Sequence, residues 1–448
     1  MRYLALLLLP ALLSAAAPVV SNVRAQQRLG TKLIDITYDL ADSSSTSIYI
    51  SAQIFAGTTA LPAFSLSGHI GAGVTPGTNK TIVWNAGQDW NRQYTTAGKV
   101  RIIADDLNVT PPNAGMVYVP AGFTVGTNGT HSFNSGTRVF SSGFFMDKTE
   151  ISKATWDEVR TWALANGYTF DNTGLATGTN HPVVGVSWYD AVKWCNARSE
   201  KEGLAPVYFT DANRTTVYKT GTVIVRSTFC NWSADGYRIP TRAEWSKAAW
   251  GGSTSGPYYW PSYYGSGAEI LNVGQANFFY SFASRSHPWD FSATTFSGAP
   301  NYSVANYGTT PVGYYNGSQV ITGLALGVTV TDMSNGFGLH DMAGNAAEWL
   351  WDSFYSEVTA TTEYLDDNYK GPDLGLGAER YYAAGRLNGS GSNWDLQDKV
   401  AASSAGSEKI IFYEGGSGSI GRINGQGVPM SGWEVRIPQI GLRTVRGR

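Results

Sequence analysis

The chain of 448 residues is poor in charge, in sulfur and in long apolar runs. Lys and Arg number 32 against 34 Asp and Glu, and together they make up only 15% of the sequence. An ordinary soluble domain carries about 25%. A formal charge of −2 leaves no basic surplus for phosphates, so no nucleic-acid partner is expected. Beyond the first residues no segment has the length or purity of a membrane-spanning helix, and no membrane insertion is expected. What fills the deficit is 52 Gly, 15 Trp, 25 Tyr and 18 Phe. Glycine at that level puts much backbone into turns and loops and argues against an all-helical protein. Few charges with many aromatics argue against disorder and for large buried cores. The length suits two or three domains.

The N-terminus sets an expectation about compartment. Met1-Arg2-Tyr3, the apolar run Leu4 to Leu13 and Ser14-Ala15-Ala16-Ala17 follow the charged, apolar and small-residue order of a secretory signal peptide. Residues 1–17 are read that way, with cleavage near Ala16 or Ala17. The mature protein is expected to be secreted: extracellular, periplasmic or at the cell surface. No Cys lies near the cleavage zone, so a lipid anchor is not expected. Cys195 and Cys230 are the only cysteines, and in an oxidising compartment an isolated pair reads as a disulfide. Such a bond would stabilise the fold by about 3–4 kcal/mol on the chain-entropy model.

Two regions follow different patterns, and the fold class read from them is α+β. Residues 18–106 alternate like an all-β sandwich, with strands around Leu33 to Tyr38, Ile48 to Phe55, Ile82 to Trp84 and Val100 to Ala104. This stretch resembles the immunoglobulin-like or fibronectin-III-like modules of exported bacterial proteins, and nothing in it reads as catalytic. Residues 107–114, with Pro111-Pro112, are read as a linker. From 115 to 448 the chain reads as short helices among long loops. Ser152 caps a helix carrying Trp156, Val159, Trp162 and Ala163. Ser187 with Asp190 resembles a capping box for a helix to about Glu202, and Thr241 with Glu244 makes another, ending at Gly251-Gly252.

Several segments in the second region carry a family resemblance. They are M-V-Y-V-P-A-G-F (116–123), F-F-M-D-K-T-E-I (144–151), H-P-V-V-G-V-S-W-Y-D-A-V-K-W-C-N (181–196), G-Y-R-I-P-T-R-A-E-W (236–245), T-P-V-G (310–313), G-L-H-D-M-A-G-N-A-A-E-W (338–349) and G-L-R (441–443). In this order they resemble the formylglycine-generating enzyme, or sulfatase-modifying factor, domain, a loop-rich fold related to C-type lectins. The resemblance implies an oxidase that uses O₂ and copper held by two cysteine thiolates, placed after the G-N-x-x-E-W motif beside an R-G-G-S-like segment. Ala383-Ala384-Gly385-Arg386 and Glu414-Gly415-Gly416-Ser417 both compare with that segment, yet no Cys follows Cys230. No copper site and no catalytic residue are therefore expected. A sister branch uses an iron-binding helical bundle, whereas the five His here (69, 131, 181, 287 and 340) are scattered.

The resemblance does imply structural calcium. The carboxylates of Asp341 and Glu348 with the carbonyls of Gly344 and Ala346 would supply hard oxygen ligands. A second ion would lie near Asn277, the Phe278 carbonyl and Asp290. Glu348 and Asp352 as a glycosidase-like acid pair are set aside, because a spacing of four on a helix is usually surface pairing or capping. Trp245, Trp349 and Trp351 are assigned to the core. The Tyr/Trp/Gly/Ser-rich stretches Gly256 to Gly267 and Asn388 to Trp394 have the composition of recognition loops or of simple loop packing. The expected role is that of a catalytically incomplete family member, binding a protein or glycan outside the cell or assembling with itself. An oxidoreductase with a non-standard active site is the alternative.

Overall fold

The computed structural model describes residues 17–61, 63, 65–123, 140–223, 225–251, 309–319, 332–342, 345–354, 368, strands between 379 and 411, and 440–447. The N-terminal region has strands β1 (Val19–Gln27), β2 (Leu33–Ala41), β3 (Ile48–Ala56), β4 (Thr59–Ala60), β5 (Leu66–Gly68), β6 (Gly71–Val74), β7 (Gly77–Asn85) and β8 (Gly98–Asp105). A short helical turn, α1 (Ala86–Asp89), precedes β8. One sheet runs in the order β1-β2-β7-β5. The other is built on β3, with β8 paired along its whole length and β4 and β6 at its two ends. All pairings are antiparallel, and the two sheets close on an apolar core. Ile36, Tyr38 and Leu40 from β2 meet Ile48, Ile50, Ala52 and Ile54 from β3 and Ile82 and Trp84 from β7. Their spacing of two follows from the pleat of a strand.

β3 departs from simple alternation. Its second face, Tyr49, Ser51 and Gln53, is buried as well, because the C-terminal domain lies against it. That domain begins with β9 (Met116–Val119), β10 (Gly122–Phe123), β11 (Phe140–Ser141) and β12 (Phe144–Asp147). β10 is wedged against the sandwich: an added methyl at Gly122 would lie 2.4 Å from Ser51 Oγ. Asp105, at the end of β8, accepts from the Tyr118 hydroxyl at 2.8 Å and the Ala121 N–H at 2.7 Å. The Arg101 guanidinium lies over the rings of Phe123 and Phe140, and Tyr49 meets Phe337 edge-on at 6.0 Å.

Three helices follow the sequence signals. In α2 (Lys153–Ala165) the Ser152 side chain accepts the Thr155 N–H, and Trp156, Val159 and Ala163 form the buried stripe. In α3 (Trp188–Lys201) Ser187 accepts the Asp190 N–H, but the reciprocal half of the expected capping box is missing. The Asp190 carboxylate instead takes the Asp171 N–H at 3.0 Å and the Asn172 amide at 2.6 Å. β13 (Tyr237–Arg238) leads into α4 (Arg242–Trp250), whose Thr241–Glu244 box is complete and which ends at Gly251 with φ 59°.

Late in the chain come β14 (Ala347–Phe354), β15 (Glu379–Ala383), the hairpin of β16 (Arg386–Ser390) and β17 (Asn393–Gln397), the pair β18 (Ala402–Ser403) and β19 (Ile410–Ile411), then β20 (Ile440–Gly441) and β21 (Val445–Gly447). β21 sits inside a sheet of order β13-β21-β12-β9, and β20 runs parallel to β14. Mixed sheets with few helices agree with the α+β reading.

The expected disulfide is not formed. Cys195 and Cys230 are both buried, as separate thiols. Cys195 lies on α3 in the main apolar cluster, where burial pushes its thiol well up. The Cys230 Sγ donates instead to the Arg226 carbonyl at 3.4 Å. Each sulfur thus behaves as a small core side chain.

Candidate functional site

The C-terminal domain gathers its charge around Arg443, in the turn between β20 and β21. The guanidinium is fully buried and bonded from each of its three nitrogens: Nε donates to Glu348 Oε1 at 2.9 Å, Nη1 to the Asp147 carbonyl at 3.1 Å, and Nη2 to the His340 carbonyl at 2.9 Å. Glu348 points inward from β14, and its other oxygen accepts Trp245 Nε1 of α4 at 2.6 Å. Asp341 holds a left-handed backbone (φ 56°) and takes the Gly313 N–H on Oδ2 at 2.5 Å. Glu150, in the turn between β12 and α2, receives the Ala346 N–H on Oε1 at 3.3 Å. Its Oε2 is buried and finds no donor among the described residues.

Three carboxylates therefore surround one guanidinium, an excess of negative charge in a dry place. Burial pushes Glu150 well above the usual carboxylate range, and the charge of Asp341 pushes it further, against the pull of Arg443. Burial also raises Asp341, opposed by the Gly313 N–H, Arg443, His340 and a hydrogen bond with Glu150. Glu348 is raised by burial, with Arg443 and the Trp245 N–H opposing.

Asp341, Ala346 and Glu348 all lie near Glu150, Ala346 through its N–H and the two carboxylates through their charge. Gly344 lies outside the described residues, as do Asn277, Phe278 and Asp290 of the second calcium set. Glu348 sits on a strand, not on a helix, so the helical argument against a Glu348–Asp352 pair does not apply. Both Glu348 oxygens are already bound to protein donors, which leaves no free general base there. Trp349 and Trp351 are core residues, as expected, and Trp245 is core while also holding Glu348. Residues 256–267 fall outside the described residues, and Asn388 to Trp394 spans the β16–β17 hairpin. Glu150 and Arg443 had no assigned role in the sequence reading. Their signal was position alone: both lie inside the motif strings D-K-T-E-I and G-L-R.

The donor chemistry suits a hard divalent cation. Oxygen ligands dominate, and the carboxylates outnumber the guanidinium. Among the described residues no three acidic, His or Cys side chains converge closely enough to hold a metal.

Residues 104–446 match the sulfatase-modifying factor enzyme 1-like domain. The chain belongs to that family. Chaperone protein LppX of Paenibacillus barcinonensis is 30% identical over 272 residues, covering 54% of this chain and 81% of that protein. Formylglycine-generating enzymes of Mus musculus and Bos taurus are 26% and 25% identical, and the chain spans 63% and 64% of their lengths. Among solved structures, the crystal structure of CarF aligns at a TM-score of 0.42 with 23% identity, over 74% of this chain and 98% of CarF. Treponema denticola variable protein 1 aligns at 0.39 with 21% identity, over 74% of this chain and 94% of that one. Cys195 and Cys230, the two cysteines of the sequence, are both sealed in the core.

Proposed function

We propose that this protein is a catalytically incomplete member of the family that binds a polypeptide partner outside the cell. The observation that carries the reading is the absence of any cysteine after Cys230, in a family whose oxidases need two thiolates in that part of the chain. Soft, deprotonated sulfur is what a copper(I) site requires, and burial holds Cys195 in the thiol form. The likeness to a chaperone supports a protein client over a glycan. The apolar run Leu4 to Leu13 and its flanks support export. Calcium belongs to the same proposal as a structural ion on Asp341, Glu348 and the carbonyls of Gly344 and Ala346.

Two assays on one preparation test it. Incubation with Cu(I), O₂ and a Cys-x-Pro-x-Arg peptide should leave the peptide mass unchanged. A chemically denatured model enzyme should refold in higher yield, or aggregate more slowly, when the protein is present. Peptide conversion that disappears in Cys195→Ser would overturn the proposal in favour of an oxidoreductase with a non-standard site. A protein that neither converts peptide nor alters refolding would remove the client reading.

A further inference from the structure

Three loops close one end of the sandwich. The pairs Leu33–Asn85 and Ala56–Gly98 bring the β1–β2 turn, the β3–β4 turn and the segment from α1 to β8 together there. Lys32 Nζ donates to the Asn91 side-chain oxygen at 2.7 Å, and the Gly57 N–H donates to the Ala97 carbonyl at 2.8 Å. The contacts with the C-terminal domain lie elsewhere, at Tyr49, Ser51, Arg101 and Asp105. At the loop end Leu29 is 98% exposed and Tyr94 84%, more than any other large apolar side chain among the described residues. A lone exposed leucine needs no explanation. These two stand on loops that touch, with cations on both.

Charge divides along the same axis. Arg28, Lys32, Arg92 and Lys99 lie at the loop end, all exposed. Two carboxylates accompany them. Asp35 binds Arg28 at 3.0 and 2.6 Å, and Asp89 turns inward onto Ser65 and the Trp84 indole. Asp39, Asp42, Asp105 and Asp106 lie toward the other end, with Lys80. We infer that the loop end docks on the headgroup layer of an anionic lipid bilayer, with Lys32, Arg92 and Lys99 toward the phosphates and Leu29 and Tyr94 entering the interface. Each Lys or Arg near such a surface strengthens binding roughly fivefold. An acidic polymer in solution would satisfy the cations and leave Leu29 in water. A bilayer buries that side chain, and tyrosine favours the same interfacial depth. The contact lies on the bilayer and not through it, since no helix among the described residues is long and apolar enough to cross a membrane.

Co-sedimentation of the full chain with vesicles tests the docking. The protein should pellet with phosphatidylcholine vesicles that contain phosphatidylglycerol, stay in solution with phosphatidylcholine alone, and be released by rising salt. Lys32→Gln with Arg92→Gln should weaken binding roughly thirtyfold, and Leu29→Ser with Tyr94→Ser about tenfold. All four side chains are exposed, so both double variants should keep the wild-type denaturation midpoint, which separates lost binding from a lost fold. In the wild type, vesicles should slow hydrogen exchange in residues 28–32 and 91–98 and leave α2 and α3 unchanged. Protein that stays in solution with both vesicles, or binding that neither double variant weakens, would overturn the inference. Binding weakened by the charge pair but untouched by Leu29→Ser with Tyr94→Ser would also overturn it, in favour of a soluble polyanion. Slowed exchange confined to the C-terminal domain would place the contact elsewhere and sink the idea.

Discussion

Along β2 the buried residues Ile36, Tyr38 and Leu40 alternate with less buried neighbours, and their partners on β3 and β7 lie a few dozen positions away. In the C-terminal domain the comparable tie is Asp147 with Arg198 and Thr444, residues 51 and 297 positions apart. Arg198 donates to both Asp147 oxygens at 3.1 and 3.0 Å, and the Thr444 N–H donates at 3.0 Å. Arg238–Glu244 and Arg443–Glu348 repeat the arrangement. The sandwich is held by apolar packing in a strand period. Its neighbour has few regular elements to carry such a period. It instead fixes its loops with buried, hydrogen-bonded ion pairs, which specify geometry because each is costly to leave half-made.

The contrast can be broken most sharply at Arg443. Arg443→Ala strands the Glu348 carboxylate in the core and should cost about 3–5 kcal/mol. Denaturant unfolding followed by hydrogen exchange should place the loss in β12, β14 and β21 before it reaches β2 and β7. Equal loss in both regions would mean that the domains unfold as one unit. Ile82→Ala, at a site with 0% exposure, should cost about 3 kcal/mol through a cavity, with the loss centred on the sandwich. A reversed distribution of protection would contradict the division.

Calcium should separate the two regions more gently. At a hundred times its dissociation constant a single ion stabilises by about 2.7 kcal/mol, and only the C-terminal domain should respond. A melting curve unmoved by chelator in a preparation that elemental analysis finds free of calcium, or a wild-type response in Glu348→Gln, would remove the site. The smallest effect belongs to helix capping. Thr241→Ala removes one half of the complete box on α4 and should cost about 1 kcal/mol, readable as a lowered denaturation midpoint. No change would show that the Arg238–Glu244 pair alone fixes the start of that helix.

Much of the local structure was legible. The caps at Ser152 and Thr241 and the alternation of β2 depend on neighbours a few residues away. The motif strings named the family and pointed to Asp341 and Glu348, because those strings keep their order however the intervening loops vary. Glu150 and Arg443 were inside the same strings without a visible role. A carboxylate 196 positions from the N–H it accepts, and a guanidinium 95 positions from its partner, leave no trace in local spacing. The reading of Ser187 and Asp190 as a full capping box failed for the same reason: a distant loop, Asp171–Asn172, competed for the carboxylate and won. Two cysteines in a chain read as exported suggested a bond, whereas packing placed each sulfur against its own neighbours.

Sequence by itself determined the composition of the cores, the starts of α2 and α4, the period of β2, the family and the missing thiolates. These follow from residue chemistry and from short-range backbone geometry. Tertiary structure alone decided that the polar face of β3 is buried, that Asp105 and Lys247 both bind the backbone around β10, and that Glu150 and Asp341 lie near the Arg443–Glu348 pair. Each of these needs two surfaces to come together, and the free energy that selects the contact exists only once both have folded.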